Sequence, residues 1–140
     1  MGRREQREQI FKLLFRQEFH SLQEMDQQVR LFFEDEEVSG ISEKDMNYII
    51  EKYQKIRELV PELDQYLDEK VEGWNTARMG KVELTVLRLA VYEMLHDEDV
   101  PEGVAINEAV EIAKTYGQEG SGAFVNAVLA KFVKQGDQNS

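Results

Sequence analysis

Apolar residues recur every three or four positions along most of the chain, which is the spacing of helices that bury one face. The first stripe of such positions consists of Ile10, Phe11, Leu14, Phe15 and Phe19, and the second runs from Leu22 to Phe33. Ser42 can cap a third helix that continues to about Val60, and Pro61 suits the first turn of a fourth. Four helices are therefore predicted before about residue 72.

The second half of the chain continues the helical pattern. Val82–Leu95 is apolar on most of its circumference, which is typical of a helix in the middle of a bundle. Two more helices are predicted near Ala105–Tyr116 and Ser121–Val133, and no segment alternates with the period of two that a strand requires. The pattern predicts one all-α domain over residues 1–140 with about seven helices.

Composition excludes several classes of protein. With 140 residues, 41% of them hydrophobic and 32% charged, the chain is long enough for one globular core. It has no cysteine, no apolar run that approaches the length of a membrane span, and a polar start unlike a secretory signal. A cytoplasmic protein without a membrane partner is expected.

The charge is unevenly distributed. The net charge is −11, yet residues 1–20 contain five basic and three acidic side chains. Arg3, Arg4 and Arg7 fall at helical spacing near a helix start, where cations oppose the helix dipole. An ordinary solvated helix start is the alternative, but a basic end on an acidic chain favours contacts with phosphates and bases.

No constellation predicts catalysis. His20 and His96 lack a second histidine at metal-binding spacing, and no pair of carboxylates stands out as acid and base, so no catalytic residue, metal or cofactor is expected. Among the glycines near residue 120, Gly117 is predicted to end a helix as a left-handed C-cap, rather than to cradle a phosphate.

Three further sets of residues need an explanation. Phe124 either packs in the core with Val128 or offers a stacking platform to an unpaired base. Glu83 and Arg88 are five positions apart and cannot pair along one helix face, so each needs another partner. The polar residues Asn107, Glu108 and Asn126 lie in apolar company and are expected to be buried, with hydrogen bonds that fix the last helices.

Three segments together carry a resemblance to a known family. They are KVELTVLRLAVYEM (Lys81–Met94), VPEGVAINEAVEIAK (Val100–Lys114) and FVNAVL (Phe124–Leu129), and the start RREQRE (Arg3–Glu8) adds an arginine-rich opening. In content, order and spacing the chain closely resembles NusB, the bacterial transcription antitermination factor. The resemblance implies an all-helical fold of two small packed bundles.

The resemblance also implies a function and a set of contacts. A protein of this family binds the single-stranded RNA element boxA together with the ribosomal protein NusE, and helps RNA polymerase to pass terminators in ribosomal RNA operons. By position, Arg3, Arg4, Arg7 and Phe124 would contact RNA. Phe15, which stands where a tyrosine is common, and Glu83 would face NusE, with Arg88 nearby.

The partners implied are therefore boxA RNA, NusE and the antitermination complex of RNA polymerase, and a homodimer is compatible with the family. An RNA-binding accessory module of a ribosomal RNA methyltransferase and a pure protein-interaction module are the alternatives.

Overall fold

The computed structural model describes residues 1–35, 38, 40–73, 76 and 79–133. Within these residues the chain forms seven α-helices and no strand: α1 (Arg3–Gln17), α2 (Leu22–Glu34), α3 (Glu43–Glu58), α4 (Val60–Lys70), α5 (Lys81–His96), α6 (Glu102–Tyr116) and α7 (Ser121–Ala130). The all-α prediction is confirmed. The last helix ends three residues earlier than the sequence pattern indicates.

The helices divide into two compact units, Met1–Glu58 and Leu59–Ser140, which correspond to the two bundles that the resemblance implies. In the first unit, α1 packs against α2 and α3. Its core is made of apolar side chains from all three helices: Ile10, Leu13, Leu14, Met25, Phe32, Ile49 and Ile56.

Hydroxyl caps fix the starts of two helices in this first unit. Ser21 and Glu24 form a reciprocal capping box at the start of α2. The Asp45 N–H donates to Ser42 Oγ at 3.1 Å, which confirms the cap that the sequence predicts for α3. Each cap satisfies a backbone donor that the helix itself leaves without a partner.

The second unit is built around α5, which packs against α4, α6 and α7. Ten of the sixteen α5 residues are buried, including Val86, Leu87 and Val91, so the prediction of a central helix is confirmed. Pro61 lies in the first turn of α4, as predicted. Pro101 is the N-cap of α6.

Gly117 follows α6, but the prediction of a left-handed conformation there is wrong. Its backbone is extended, with φ −93° and ψ −170°. The left-handed residue is Gly120, the N-cap of α7, with φ +90°. Gly117 is required for space instead, because a Cβ there would lie 2.6 Å from Ser121 Oγ and 2.7 Å from the Ala113 carbonyl oxygen.

The expectation that Asn107, Glu108 and Asn126 are buried is also wrong. Asn107 and Asn126 are exposed, and Glu108 is half-buried. The buried stripe of α6 consists of Ala105, Ala109, Ile112 and Ala113, and that of α7 includes Val125, Val128 and Leu129. With 3.6 residues per turn, both asparagines fall off these stripes. They are therefore not core groups that fix the packing of the last helices.

Candidate nucleic-acid and partner surfaces

The arginines at the start of α1 differ in exposure. Arg3 and Arg4 are exposed, whereas Arg7 is only 7% exposed. Arg7 lies three and seven residues before Ile10 and Leu14 and so continues the buried stripe of α1. The sequence predicted that all three lie on one face of the helix. In the structure Arg3 and Arg4 are exposed to solvent, and Arg7 is not.

A contact between helices fixes the first turns of α1. Gln6 Nε2 donates a hydrogen bond of 2.8 Å to Asp45 Oδ1 at the start of α3. This bond lowers the pKa of Asp45 below its ordinary value, against the opposing effect of desolvation. The ionised carboxylate therefore anchors the helix turn that presents Arg3 and Arg4.

Phe15 belongs to a row of aromatic rings along α1. Its ring lies 5.9 Å from that of Phe11 in a stacked arrangement, and 5.2 Å from that of Phe19 in an edge-to-face arrangement. Phe11 is buried, Phe15 half-buried and Phe19 60% exposed, so the row runs from the core to solvent. The sequence assigned Phe19 to a buried stripe and missed its exposure, because α1 ends at Gln17 before that stripe is completed.

Phe124 lies in the first turns of α7 and is half-buried. It lines a cleft of about 240 Å³ in the second unit, together with Met79, Glu83, Glu119 and Ser121. The two interpretations of Phe124 from sequence were core packing and a stacking platform. Its partial exposure at a cleft is compatible with stacking on a ligand.

Glu83, in the first turn of α5, is turned toward the start of α7. Its Oε2 accepts a hydrogen bond of 3.2 Å from Ser121 Oγ, which in turn accepts one of 2.9 Å from the Gln118 N–H. Ser121 is only 6% exposed. The sequence placed Ser121 at the start of the last predicted helix, but it did not identify Glu83 as the partner of the Ser121 hydroxyl.

Arg88, one turn further along α5, has a partner within the second unit. Its Nε and Nη2 each lie 2.8 Å from one carboxylate oxygen of Asp64 in α4. This is the partner that the spacing of Glu83 and Arg88 required and that sequence alone does not identify. Arg88 is half-buried, with its guanidinium held in this ion pair.

The described part of the chain contains no cluster of three histidine, cysteine or acidic side chains that could hold a metal ion. None of its helices combines the length and the apolar character that crossing a membrane requires.

Comparison with known proteins identifies the family. The NusB family profile matches residues 4–134. The transcription antitermination protein NusB of Agathobacter rectalis is 50% identical over 132 residues, which cover 94% of this chain and 99% of that protein. The T. maritima NusB structure is 36% identical, has a TM-score of 0.82, and covers 94% of this chain and 89% of that one.

A structure of the antitermination factors NusB and NusE in complex with double-stranded RNA is also similar in fold. Its TM-score is 0.74 at 23% identity, and the match covers 93% of this chain and 96% of that one. The sequence match extends over nearly the whole chain, and the helical architecture agrees with it. This chain belongs to the NusB family.

Proposed function

We propose that this protein is a transcription antitermination factor that binds boxA RNA together with NusE and promotes processive transcription of ribosomal RNA operons. The observation that carries the proposal is the 50% identity to a NusB protein over 94% of the chain. The similar structure of NusB and NusE with double-stranded RNA supports NusE and RNA as partners, and the single-stranded form of the RNA is part of the proposal. On this proposal residues 1–140 act as one RNA-binding domain, in the cytoplasm, within the antitermination complex of RNA polymerase and without catalytic activity.

RNA is held by Arg3, Arg4, Arg7 and Phe124. The exposed Arg3 and Arg4 supply charge-assisted contacts to phosphates, which are stronger than neutral hydrogen bonds. Arg7 is buried, so it offers less of its side chain to RNA than Arg3 and Arg4 do. Phe124 stacks on an unpaired base, which is the contact that single-stranded RNA offers and a regular duplex does not.

NusE is held by Phe15, Glu83 and Arg88. The ring of Phe19 is exposed beside that of Phe15 and adds apolar area next to it in the first unit. The net charge of −11 favours a basic partner such as a ribosomal protein and steers its approach. Contact with RNA and NusE at once raises the affinity beyond that for either alone.

The test is a titration of labelled boxA RNA with the purified protein, with and without NusE, at two salt concentrations. We expect weak binding by the protein alone and tighter binding with NusE, and a loss of affinity in Arg3→Ala/Arg4→Ala. A labelled RNA duplex is the comparison probe. The proposal would be refuted if NusE did not raise the affinity for RNA and the arginine substitutions did not lower it. Unchanged binding of NusE with no detectable RNA affinity at low salt would indicate a pure protein-interaction module.

A further inference from the structure

The start of α7 is held by the side chains of Ser121 and Glu83, not by a side chain of the N-cap residue. Gly120 is the N-cap and has no side chain to accept a hydrogen bond from the first turn. The Ser121 N–H donates to the Gln118 carbonyl at 3.0 Å, and the Gln118 N–H donates back to Ser121 Oγ at 2.9 Å. The Ser121 hydroxyl then donates to Glu83 in α5 at 3.2 Å. We call Gln118, Ser121 and Glu83 the Ser121 network.

Two glycines leave the space that the Ser121 network occupies. A Cβ on Gly117 would lie 2.6 Å from Ser121 Oγ. A Cβ on Gly80, the N-cap of α5, would overlap the Glu83 carboxylate. Because Gly117 and Gly80 have no side chains, Ser121 and Glu83 can approach each other.

We propose that the Ser121 network positions Phe124 for stacking on RNA, with Glu83 and Ser121 as positioning residues. The inference rests on the proposed function, in which Phe124 contacts RNA. Phe124 lies three residues after Ser121, about one helical turn, and its N–H donates to the Gly120 carbonyl at 3.0 Å. Phe124, Glu83 and Ser121 also line the same cleft. A shift of the first turn of α7 therefore moves the ring.

A positioning role and simple electrostatics predict opposite effects on RNA affinity when Glu83 is removed. RNA is an anion, so removal of a nearby carboxylate is expected on electrostatic grounds to tighten RNA binding. If Glu83 positions Phe124 through Ser121, its removal weakens binding instead. Glu83→Gln separates the two effects, because the amide oxygen still accepts from the Ser121 hydroxyl while the charge is absent.

The first experiment measures the affinity for labelled single-stranded boxA RNA in the absence of NusE. We expect Ser121→Ala and Glu83→Ala each to bind about three- to tenfold more weakly, the effect of losing one hydrogen bond. Glu83→Gln should bind at least as tightly as the unmodified protein. Thr85→Val is the matched control, because it removes a buried hydroxyl of α5 that donates to the Lys81 carbonyl, away from the network.

A double-mutant cycle with Phe124→Ala distinguishes positioning from a general loss of structure. We expect Ser121→Ala to have no further effect on RNA affinity once Phe124 is alanine. An equal loss in both backgrounds, or a loss of the same size in Thr85→Val, would overturn the proposal.

Fluorine NMR tests the positioning without RNA. The seven phenylalanines are replaced by 4-fluorophenylalanine, and the Phe124 resonance is assigned by its disappearance in Phe124→Leu. Ser121→Ala and Glu83→Ala should shift this resonance, and Glu83→Gln and Thr85→Val should leave it in place. An unchanged chemical shift of Phe124 in Ser121→Ala would overturn the proposal.

The two proposals fail in different ways. RNA binding that depends on Phe124 but not on Ser121 or Glu83 overturns the positioning role alone. Absence of RNA binding by the unmodified protein, with or without NusE, overturns the proposed function and the RNA role of the network with it.

Discussion

Arg88 in α5 and Asp64 in α4 form a two-point ion pair in which Nε–Oδ1 and Nη2–Oδ2 are both 2.8 Å. The side chains are 12% and 22% exposed, so both charges are largely withdrawn from water. Such a pair is geometrically specific, and removal of one partner leaves a poorly solvated charge. The pair thus joins α4 to the central helix of the second unit.

We therefore expect Arg88→Ala to lower the free energy of unfolding by about 1–3 kcal/mol. Urea denaturation followed by circular dichroism measures the change. The control is Lys55→Ala, which breaks an exposed ion pair with Glu51 at 3.3 Å and should cost about 0–0.5 kcal/mol. Equal costs for the two substitutions would contradict a structural role for the Arg88–Asp64 pair.

Two glycines of the second unit should respond oppositely to alanine. Gly103 lies within α6 with open space around it, so Gly103→Ala should raise stability by about 0.5–1 kcal/mol through helix propensity. Gly117→Ala places a methyl group against Ser121 Oγ and the Ala113 carbonyl, so it should lower stability. Thermal denaturation of the pair checks both signs, and a stabilising Gly117→Ala would show that the loop readily makes room.

Tyr53 should make the stability of the protein sensitive to alkaline pH. The side chain is buried, and its hydroxyl has no hydrogen-bond partner within the described residues. Burial raises the pKa of Tyr53 above the ordinary value of 10.0, although nearby Arg57 acts in the opposite direction. The unfolded chain therefore loses this proton first, so the contribution of Tyr53 is complete below about pH 10 and falls as the pH rises beyond it.

Tyr53→Phe removes this dependence, and we expect it to be as stable as the unmodified protein near neutral pH and more stable than it above about pH 10. Urea denaturation over a range of pH measures the difference. Tyr66→Phe, which removes an exposed hydroxyl, is the matched control. A Tyr53→Phe protein that loses stability at alkaline pH as steeply as the unmodified one would count against this explanation.

Arg3 and Arg4 should determine much of the salt dependence of RNA binding. Each phosphate contact with a single strand contributes about −0.7 to the slope of log affinity against log salt. Arg3→Ala/Arg4→Ala should therefore make that slope less steep by about 1.4, as measured by fluorescence titration of boxA RNA. Lys55→Ala removes an exposed charge of the same unit and should leave the slope unchanged. An unchanged slope in the arginine double variant would place the phosphates elsewhere.

Phe19 should contribute to NusE binding without affecting RNA binding by the protein alone. Its ring is 60% exposed beside Phe15, so Phe19→Ser should cost little stability and reduce NusE affinity by about tenfold, typical of an exposed aromatic anchor. Calorimetric titration with NusE gives the affinity. Leu31→Ser is the control, because Leu31 is also exposed but lies toward the other end of α2. Equal losses in both variants would indicate a nonspecific apolar effect.

Helix positions were predictable from the sequence because their signals are local. The apolar circumference of Val82–Leu95 identified α5 as the central helix, and Ser42 and Pro61 marked helix starts that the structure confirms. Each of these helix signals depends on neighbours within a few positions along the chain. The family was identified from the sequence as well, but by the order and spacing of motifs that extend from Arg3 to Leu129.

Exposure and side-chain partners were decided by tertiary structure. Apolar neighbours in sequence suggested that Asn107 and Asn126 were buried, yet the direction of each helix face leaves them in solvent. The position of Arg7 on the buried stripe separated it from Arg3 and Arg4, although the three share a charge and a motif.

The sequence by itself thus determined the family, the seven helices and the list of candidate contact residues. Only the tertiary structure paired Arg88 with Asp64 and Glu83 with Ser121, across separations of 24 and 38 residues. It also showed that Gly117 serves close packing rather than a left-handed turn. The physical reason is that helix propensity and capping act over one turn, whereas burial and side-chain hydrogen bonds depend on which helix faces meet.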